Sequence, residues 1–489
     1  MTRRKLSSSA VIRCLRTDSG ANPVVCSSKI YSLRAVVVAI LAIAVFGGGP
    51  VRADEPPAAD DSARGPFPAG PLRQIGDALK PYGIRPSLTY VGEVFGNASG
   101  GIRRGAVYGG HLDVGIDADL GKLFGWSDTK FHVNVINSHG DGLSREYLGN
   151  LLTVSNFEAL NHTRLYELWI EKTFGNVALR FGQFGADIDF DNSKYAGSLL
   201  NATFGWQPIS YVNLPAGGPV YPLSALGVRA KAKLSDQFTV LFAMFDGDPA
   251  GPGTGDPQDL DPHGLNFRLR DSPLLMAELQ YAYQLDPKRL GTLKLGAWMH
   301  TGNFSDQRFD TNGVALANPA SNGMPAQHRG DFAPYVVLEQ MLLPFDPKGE
   351  KGVAAFARLH GTQSDRNAID FYGDGGVNIS GFWSARPNDT ISLGFGYARI
   401  SSAARGFDQD TLAFGTPTAI RNYEAVLEVN YSAQIAAGWT VQPDIQYIFH
   451  PGGGATDPNS ATAQRIPDAL VFGIRMTVQW GERDPGSLQ

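Results

Sequence analysis

The sequence predicts an all-β fold: a transmembrane antiparallel β-barrel of about sixteen strands, preceded by a short helix. Stretches of alternating apolar and polar residues recur along the chain, and this period is typical of strands because successive side chains point to opposite faces. Short and long connections alternate between these stretches, as they do between the two rims of an up-and-down barrel. An export signal precedes the stretches, and residues 54–489 contain no apolar run long enough for a transmembrane helix.

The N-terminal segment is predicted to be a signal peptide. Its apolar run, Ala35–Phe46, follows a basic stretch and is too short to cross a bilayer as a helix, which takes about 20 residues. Val51 and Ala53 stand at the two positions that a signal peptidase reads, so we place cleavage after Ala53. Both cysteines, Cys14 and Cys26, precede that point, so the mature chain is expected to use no thiol or disulfide.

A linker and one short helix are predicted to follow. The linker is rich in Pro, Ala and Asp, a composition that favours flexibility. Leu72, Ile75 and Leu79 then recur at helical spacing until Pro81 stops the pattern. The predicted organisation is a signal peptide (1–53), a flexible linker (54–72), a short helix (73–83), an outer-membrane barrel (84–480) and a C-terminal tail (481–489).

The barrel region divides into an even number of candidate strands, as closure requires when both ends of the chain face one side. The sixteen segments are 84–95, 106–120, 129–137, 164–174, 177–185, 225–234, 237–246, 274–285, 291–301, 333–344, 352–361, 374–384, 389–401, 421–433, 438–449 and 468–480.

Which face of each strand meets lipid and which meets water follows from what can cover the apolar side chains. In Ala106–Leu120 the apolar set includes Leu112, Val114 and Ile116, whereas Asp113 belongs to the polar set. Sixteen half-apolar strands without helices to cover them could not share one soluble core. Closure into a cylinder satisfies every backbone group, as lipid demands, and leaves an aqueous channel at this strand number. We therefore predict that the apolar set faces lipid and that the acids face channel water.

The charge of the mature chain excludes one class of partner. Removal of residues 1–53 leaves 34 basic and 46 acidic residues, a formal charge of −12. A balance this acidic argues against a nucleic-acid partner.

Several motifs resemble the carbohydrate-selective porin family (the OprB type). The resemblance spans Tyr82 to Trp480 and implies a sixteen-stranded channel that passes sugars across the outer membrane of a Gram-negative bacterium. The motifs that carry it are Gly296–Phe304, Gly381–Ser401 and Val441–Gly453, and Arg164–Gly175, Arg180–Phe184 and Pro222–Lys233 fit the same family.

A sugar channel needs weak, repeated binding, with aromatic rings for apolar C–H faces and charged groups for hydroxyl pairs. The sharpest hypothesis is a stacking platform at Trp169 or Trp298 beside a constriction built partly from Arg180, Arg229 and Glu167, with Tyr166 facing outward. We also expect the long loop 186–224 to fold inward and narrow the pore. The candidate channel-lining residues are Glu167, Trp169, Glu171, Arg180, Arg229, Lys231, Trp298, His300, Arg358, Glu428 and Asp444.

The alternative for each charged residue is a role in the solvated wall or in a salt-bridge ladder. No catalytic residue, cofactor or metal site is expected, since His111, His132 and His300 lack a close ligand cluster. The predicted function is passive diffusion of mono- and disaccharides such as glucose. The competing functions are a general or anion-preferring porin, an outer-membrane barrel enzyme and a soluble secreted β-protein.

The predicted partners are transported sugars, outer-membrane lipid, lipopolysaccharide and the barrel-assembly machinery. The sequence does not decide between a monomer and a homo-oligomer.

Overall fold

A computed structural model describes residues 71–481 as one closed barrel of sixteen antiparallel strands. Each strand pairs with its neighbours in sequence, and β1 pairs with β16 to close the cylinder. The predicted all-β barrel is therefore confirmed. The predicted signal peptide, most of the predicted linker and the tail after Gly481 lie outside the described residues.

The strands have the following bounds: β1 Ile84–Ser99, β2 Gly105–Asp119, β3 Thr129–Gly140, β4 Thr163–Phe174, β5 Val177–Phe184, β6 Ala225–Lys233, β7 Phe238–Phe245, β8 Leu274–Gln284, β9 Leu290–Asp310, β10 Pro325–Pro344, β11 Gly352–Gly361, β12 Ile369–Ser380, β13 Thr390–Ile400, β14 Tyr423–Ala436, β15 Trp439–Phe449 and β16 Ala469–Trp480. The α-helices are α1 Pro71–Leu79, α2 Leu120–Phe124, α3 Pro208–Tyr211, α4 Pro257–Leu260 and α5 Ser402–Ala413, with shorter helical turns at Lys80–Tyr82, Ser144–Leu148, Ala196–Ser198, Ala202–Phe204, Pro215–Gly217 and Pro451–Gly454.

The segment predicted as a helix over 73–83 corresponds to α1 and the helical turn that follows it. Gly83 ends this turn in the left-handed conformation, with φ of 80°. None of the helices among residues 71–481 is long and apolar enough to cross a membrane.

The outer wall of the barrel carries a band of apolar side chains. On β2, Val114 is 44 % exposed, whereas its neighbour Asp113 is only 3 % exposed on the inner face. This is the arrangement that the alternation in the sequence predicts. Other outward side chains of the band include Phe181, Val228, Phe242, Leu279, Leu295, Leu338, Leu359, Phe395, Leu427, Ile445 and Ile474.

One hairpin extends well beyond its predicted length. Strands β9 and β10 continue past the predicted segments 291–301 and 333–344 into a protruding ladder, in which Arg329 pairs with Asn303. The added residues are mostly polar because this part of the hairpin rises above the apolar band. Alternation alone therefore could not reveal it.

Two further differences concern β12 and α5. The segment predicted at 374–384 is shifted, because Gly381 takes φ of 66° and leaves the strand. No helix is predicted in 402–420, where the structure has α5. The Ser401 hydroxyl caps α5 by accepting a hydrogen bond from the Ala404 amide at 3.1 Å. Arg308 of β9 and Asp410 of α5 form a bidentate ion pair that holds the helix against the hairpin.

Candidate pore constriction

The longest connection, residues 185–224 between β5 and β6, folds into the barrel, and we call it the constriction loop. Glu278 of β8 accepts a hydrogen bond from the Asp191 amide at 2.8 Å. Glu428 of β14 accepts one from the Leu200 amide at 2.6 Å. Since β8 and β14 stand far apart around the barrel, the loop crosses the lumen between them.

A buried arginine clamps the constriction loop to the wall. The guanidinium of Arg358 on β11 is fully buried and pairs with Asp374 of β12 through Nε and Nη2. Its Nη1 donates to the carbonyl oxygens of Asp191 and Gly205 at 3.1 Å each, and its Nη2 donates to the Phe204 carbonyl at 2.8 Å. A planar guanidinium can serve this many acceptors at fixed angles, whereas a lysine cannot.

Apolar packing holds the loop on the same wall. Trp298 of β9 is completely buried among side chains of the loop, and its Nε1 donates to the Ser210 hydroxyl at 3.0 Å. Its packing cluster includes Phe190, Trp206 and Leu214 of the loop. The constriction loop is therefore a packed part of the interior rather than a surface segment.

The β3–β4 loop, residues 141–162, also turns inward. Glu424 of β14 accepts hydrogen bonds from the amides of Leu151 and Leu152, the latter at 2.6 Å. Leu148 and Leu152 are fully buried against the constriction loop and the wall. Two loops thus narrow the lumen from different directions.

The space that remains is a cavity of about 830 Å³. It lies between the two inward loops and the inner wall of β1, β2 and β16. Its volume falls within the range of about 300–1,000 Å³ that is typical of small-molecule sites. We call this space the pore cavity.

Four rings line one side of the pore cavity and form an aromatic cluster: His111, Phe157, Tyr166 and Tyr221. The His111 and Phe157 rings stack with centroids 4.6 Å apart, and the Tyr221 ring meets His111 edge-on at 5.2 Å. Tyr166 lies 6.2 Å from Tyr221, also edge-on. Such ring contacts fix the orientation of the cluster. Phe157 lies between His111 of β2 and Arg475 of β16, whose guanidinium carbon is 4.8 Å from the Phe157 ring centroid.

Tyr166 lies inward, contrary to the sequence prediction. A β-bulge in β4 places one extra residue between Leu165, which pairs with Val135, and Glu167, which pairs with Asn134. The bulge changes the direction of the Tyr166 side chain, so the simple alternation of faces fails at this point.

The polar side of the pore cavity includes a carboxyl group on the constriction loop. Asp187 lines the cavity, and among the described residues its Oδ1 atom has no hydrogen-bond partner. Burial, and then the nearby charge of Glu167, raise the pKa of Asp187 to about 7. Burial likewise raises the pKa of Glu158 in the β3–β4 loop to about 7.

The predicted arginine and glutamate constriction forms an ion-pair cluster, with one partner that differs from the prediction. Arg229 pairs with Glu171 and with Asp189 of the constriction loop, both at 2.9 Å. Arg180 pairs with the same two carboxylates at 3.1 and 3.3 Å. Glu167 is not a member, because its Oε1 atom accepts a hydrogen bond from the Gly185 amide at 3.1 Å. The cluster anchors the start of the loop.

Neither tryptophan of the predicted platform presents an open face to the pore. Trp298 has no exposed surface because the constriction loop covers it. Trp169 on β4 lies between two neighbours, with the His132 ring 5.1 Å away and the Arg180 guanidinium carbon 4.0 Å from the ring centroid. Since β3 and β5 flank β4, these neighbours cover opposite sides of the indole.

The other predicted residues all lie on the inner face of the wall, and most of them hold loops. His300 contacts the Gly247 carbonyl at 3.2 Å and so anchors the loop after β7. Asp444 accepts a hydrogen bond from Gln446 at 2.9 Å beside the Glu428 anchor. Lys231 shares the inner face of β6 with Arg229 and is exposed.

Sequence reasoning missed the residues that line the pore cavity itself. Phe157, Asp187 and Tyr221 lie on loops, where no periodicity marks a face. The alternation predicts the wrong face for Tyr166, because a bulge leaves no signature in the sequence pattern. Among the described residues, no group of three or more His, Cys, Asp or Glu side chains is placed to hold a metal ion.

A closed barrel with an apolar outer band, a polar interior and inward loops defines the porin class of membrane channels. Residues 103–480 match the family model described as "Carbohydrate-selective porin, OprB family". The chain belongs to this family. It is accordingly a passive carbohydrate channel of the Gram-negative outer membrane rather than an enzyme.

Individual relatives agree with this assignment. The chain is 25 % identical over 417 residues to Porin B of Pseudomonas aeruginosa, covering 80 % of this chain and 86 % of that protein. It is 22 % identical over 407 residues to the putative porin QuiX of Acinetobacter baylyi, covering 76 % and 83 %. The high-pH structure of Pseudomonas putida OprB superposes with a TM-score of 0.72 at 24 % identity, covering 84 % of this chain and 96 % of that one.

Proposed function

We propose that neutral mono- and disaccharides such as glucose cross the outer membrane through the pore cavity, with the aromatic cluster as the apolar surface that they contact. One observation carries this proposal: a cavity of small-molecule size has an aromatic cluster on one side and hydrogen-bonding side chains on the others. This cluster takes over the role that the sequence assigned to Trp169 or Trp298.

The chemistry of a sugar matches such a surface. A pyranose has apolar C–H faces, which pack on aromatic rings, and a rim of hydroxyl groups, which need donors and acceptors. Contacts of this kind are individually weak, so a sugar can enter and leave quickly, as transport requires. Flow is then downhill, driven by the concentration difference alone.

The buried charges of the wall support transport in a different way. We propose that Glu167, Glu171, Arg180, Arg229, His300, Arg358 and Glu428 hold the inward loops, while Lys231 and Asp444 contribute to the polarity of the lumen. A rigid constriction keeps Phe157 and Tyr221, the loop members of the aromatic cluster, at fixed positions against the inner wall. The passage therefore selects solutes both by their size and by the contacts that they make with the aromatic cluster.

Substitution of Phe157 by alanine is expected to weaken glucose binding in the pore by about 2- to 13-fold, because it removes one ring of the aromatic cluster and one aromatic contact is worth about 0.5–1.5 kcal/mol. The measurement is block of single-channel ion current by glucose and maltose in planar bilayers. Phe242→Ala is the matched control, because Phe242 faces lipid and is 49 % exposed; this variant should leave the block unchanged.

Liposome swelling tests the proposal at the level of the whole channel. The purified protein is expected to pass glucose faster than a polyol of the same size, and Phe157→Ala should reduce the difference. Equal rates that follow solute size alone would indicate a general porin without sugar selectivity and would contradict the proposal.

We further propose that residues 1–53 direct export, that the barrel-assembly machinery inserts the chain, and that lipid and lipopolysaccharide cover the apolar band and the long-loop rim. The apolar outer wall is the observation that supports these partners. Light scattering of the detergent-solubilised protein would distinguish a monomer from a homo-oligomer.

A further inference from the structure

Residues that line the pore cavity carry buried hydrogen-bond acceptors that the protein itself does not use. The side-chain oxygens of lining residues that have no hydrogen-bond partner among residues 71–481 include Asp187 Oδ1, Asn156 Oδ1 and Thr89 Oγ1. Thr89 is only 5 % exposed and lies on the inner wall, across from the constriction loop. A solute that satisfies these atoms must bring hydrogen-bond donors.

The charges around the pore cavity favour one sign of solute. Four acidic side chains line it, but only two arginines do. Both arginines are already paired, Arg145 with Asp256 and Arg475 with Glu93, the latter at 2.7 Å. Within the described part of the chain, Asp187 and Glu158 have no cation within ion-pair distance. The lining of the pore cavity therefore carries a net negative charge.

We propose that the pore also carries amine-bearing sugars of the hexosamine class as cations, discriminates against sugar acids, and uses Asp187 as the residue that sets this charge preference. The inference rests on the proposed function, since it assumes the same passage through the pore cavity.

The chemistry of the two solute classes explains the expected discrimination. A protonated amine is a donor with three N–H groups and no acceptor, so it complements an unpartnered carboxylate oxygen. A sugar carboxylate offers only acceptors and would meet like charge in a narrow passage where water screens poorly. A neutral sugar has hydrogen-bond donors in its hydroxyl groups. It therefore enters without the attraction that a protonated amine gains or the repulsion that a carboxylate meets.

Bi-ionic reversal potentials in planar bilayers test the proposal, with glucosamine hydrochloride and sodium glucuronate as the probes. We expect glucosamine to be about threefold or more as permeant as chloride, and glucuronate to be excluded relative to sodium by a similar factor. Asp187→Asn should reduce both ratios by about half or more. Asp236→Asn is the control, because Asp236 lies in an exposed turn on the other rim and should change neither ratio.

The outcomes are separable from those of the proposed function. If glucose fails to block or cross the channel, the proposed function fails. If glucose passes but glucosamine and glucuronate permeate equally, or Asp187→Asn leaves the ratios unchanged, the inference is overturned. Heat-modifiable migration in SDS gels verifies that each variant is folded, and Asp187→Glu, which keeps the charge, should retain the preference.

The cation preference is also expected to depend on pH. The raised pKa values of about 7 for Asp187 and Glu158 mean that both carboxyls gain charge as pH rises through neutrality and lose it below. The ratio for glucosamine over chloride should therefore be larger at pH 8 than at pH 5. A ratio that is constant over this interval would contradict the assignment.

The groups facing these carboxyls are Glu167 and Tyr166 of β4, Asp189 of the constriction loop, Glu93 of β1, and Ser144 of the β3–β4 loop.

Discussion

Substitution of Arg358 by methionine is expected to widen the pore and to lower the free energy of unfolding by about 3–5 kcal/mol, the usual cost of breaking a buried ion pair. The change leaves the buried carboxylate of Asp374 without its cation and removes the guanidinium hydrogen bonds to four carbonyls of the constriction loop. The loop is then held less firmly across the lumen, so single-channel conductance should rise severalfold. Conductance in planar bilayers and the temperature of the SDS mobility shift measure the two effects.

Two further variants separate the widening of the pore from a general loss of stability. Arg399→Met removes an ion pair with Asp370 at the outer surface, where the arginine side chain is half exposed, and should change stability and conductance little. Arg358→Met combined with Asp374→Leu removes both buried charges, so stability should recover in part while conductance stays high. A return of the conductance to its original value in this double variant would contradict the claim that Arg358 holds the constriction loop through its carbonyls.

Substitution of Trp298 by alanine is expected to destabilise the barrel by about 3–5 kcal/mol, because a fully buried aromatic ring leaves a cavity when it is truncated. The ring packs between the wall and the constriction loop, so the loss should also appear as noisy, larger ion currents. Trp126→Ala is the matched control, since Trp126 is 56 % exposed near one rim and its loss should cost little.

Trp298→Phe distinguishes packing from direct contact with a sugar. Phenylalanine keeps an aromatic ring in the core, but it is smaller than the indole and loses the hydrogen bond to Ser210, so the cost should be about 1–3 kcal/mol. Glucose block should be unchanged in this variant. Loss of block with normal stability would show that Trp298 touches the sugar and would restore the platform that the sequence suggested.

The barrel can be predicted from the sequence because the pattern that marks each strand is set by the immediate surroundings of its side chains. Lipid on one side and water on the other impose a period of two on the strands, and β16 shows it in an unbroken apolar set at every second position from Leu470 to Trp480. The pattern fails where the cause is absent, as in the polar part of the β9–β10 hairpin and at the bulge beside Tyr166.

The pore cavity was far less accessible, because alternation identifies the inner face but not what covers it. Glu428 and Trp298 lie on the predicted face, yet the constriction loop takes the contacts that a solute would otherwise make. Residues such as Asp187 and Phe157 come from loops whose path depends on many distant anchors. Only the folded chain brings them to one cavity.

The extended β9–β10 hairpin has a consequence for work on living cells. Its tip turns at Gly313, where φ is 75°, and α5 supports it from the side through Arg308. Surface turns tolerate insertions because lengthening them adds little entropy cost. A peptide epitope inserted at Gly313 would therefore lie outside the bilayer on intact bacteria. Binding of a labelled antibody to this epitope would measure the number of channels without blocking the pore.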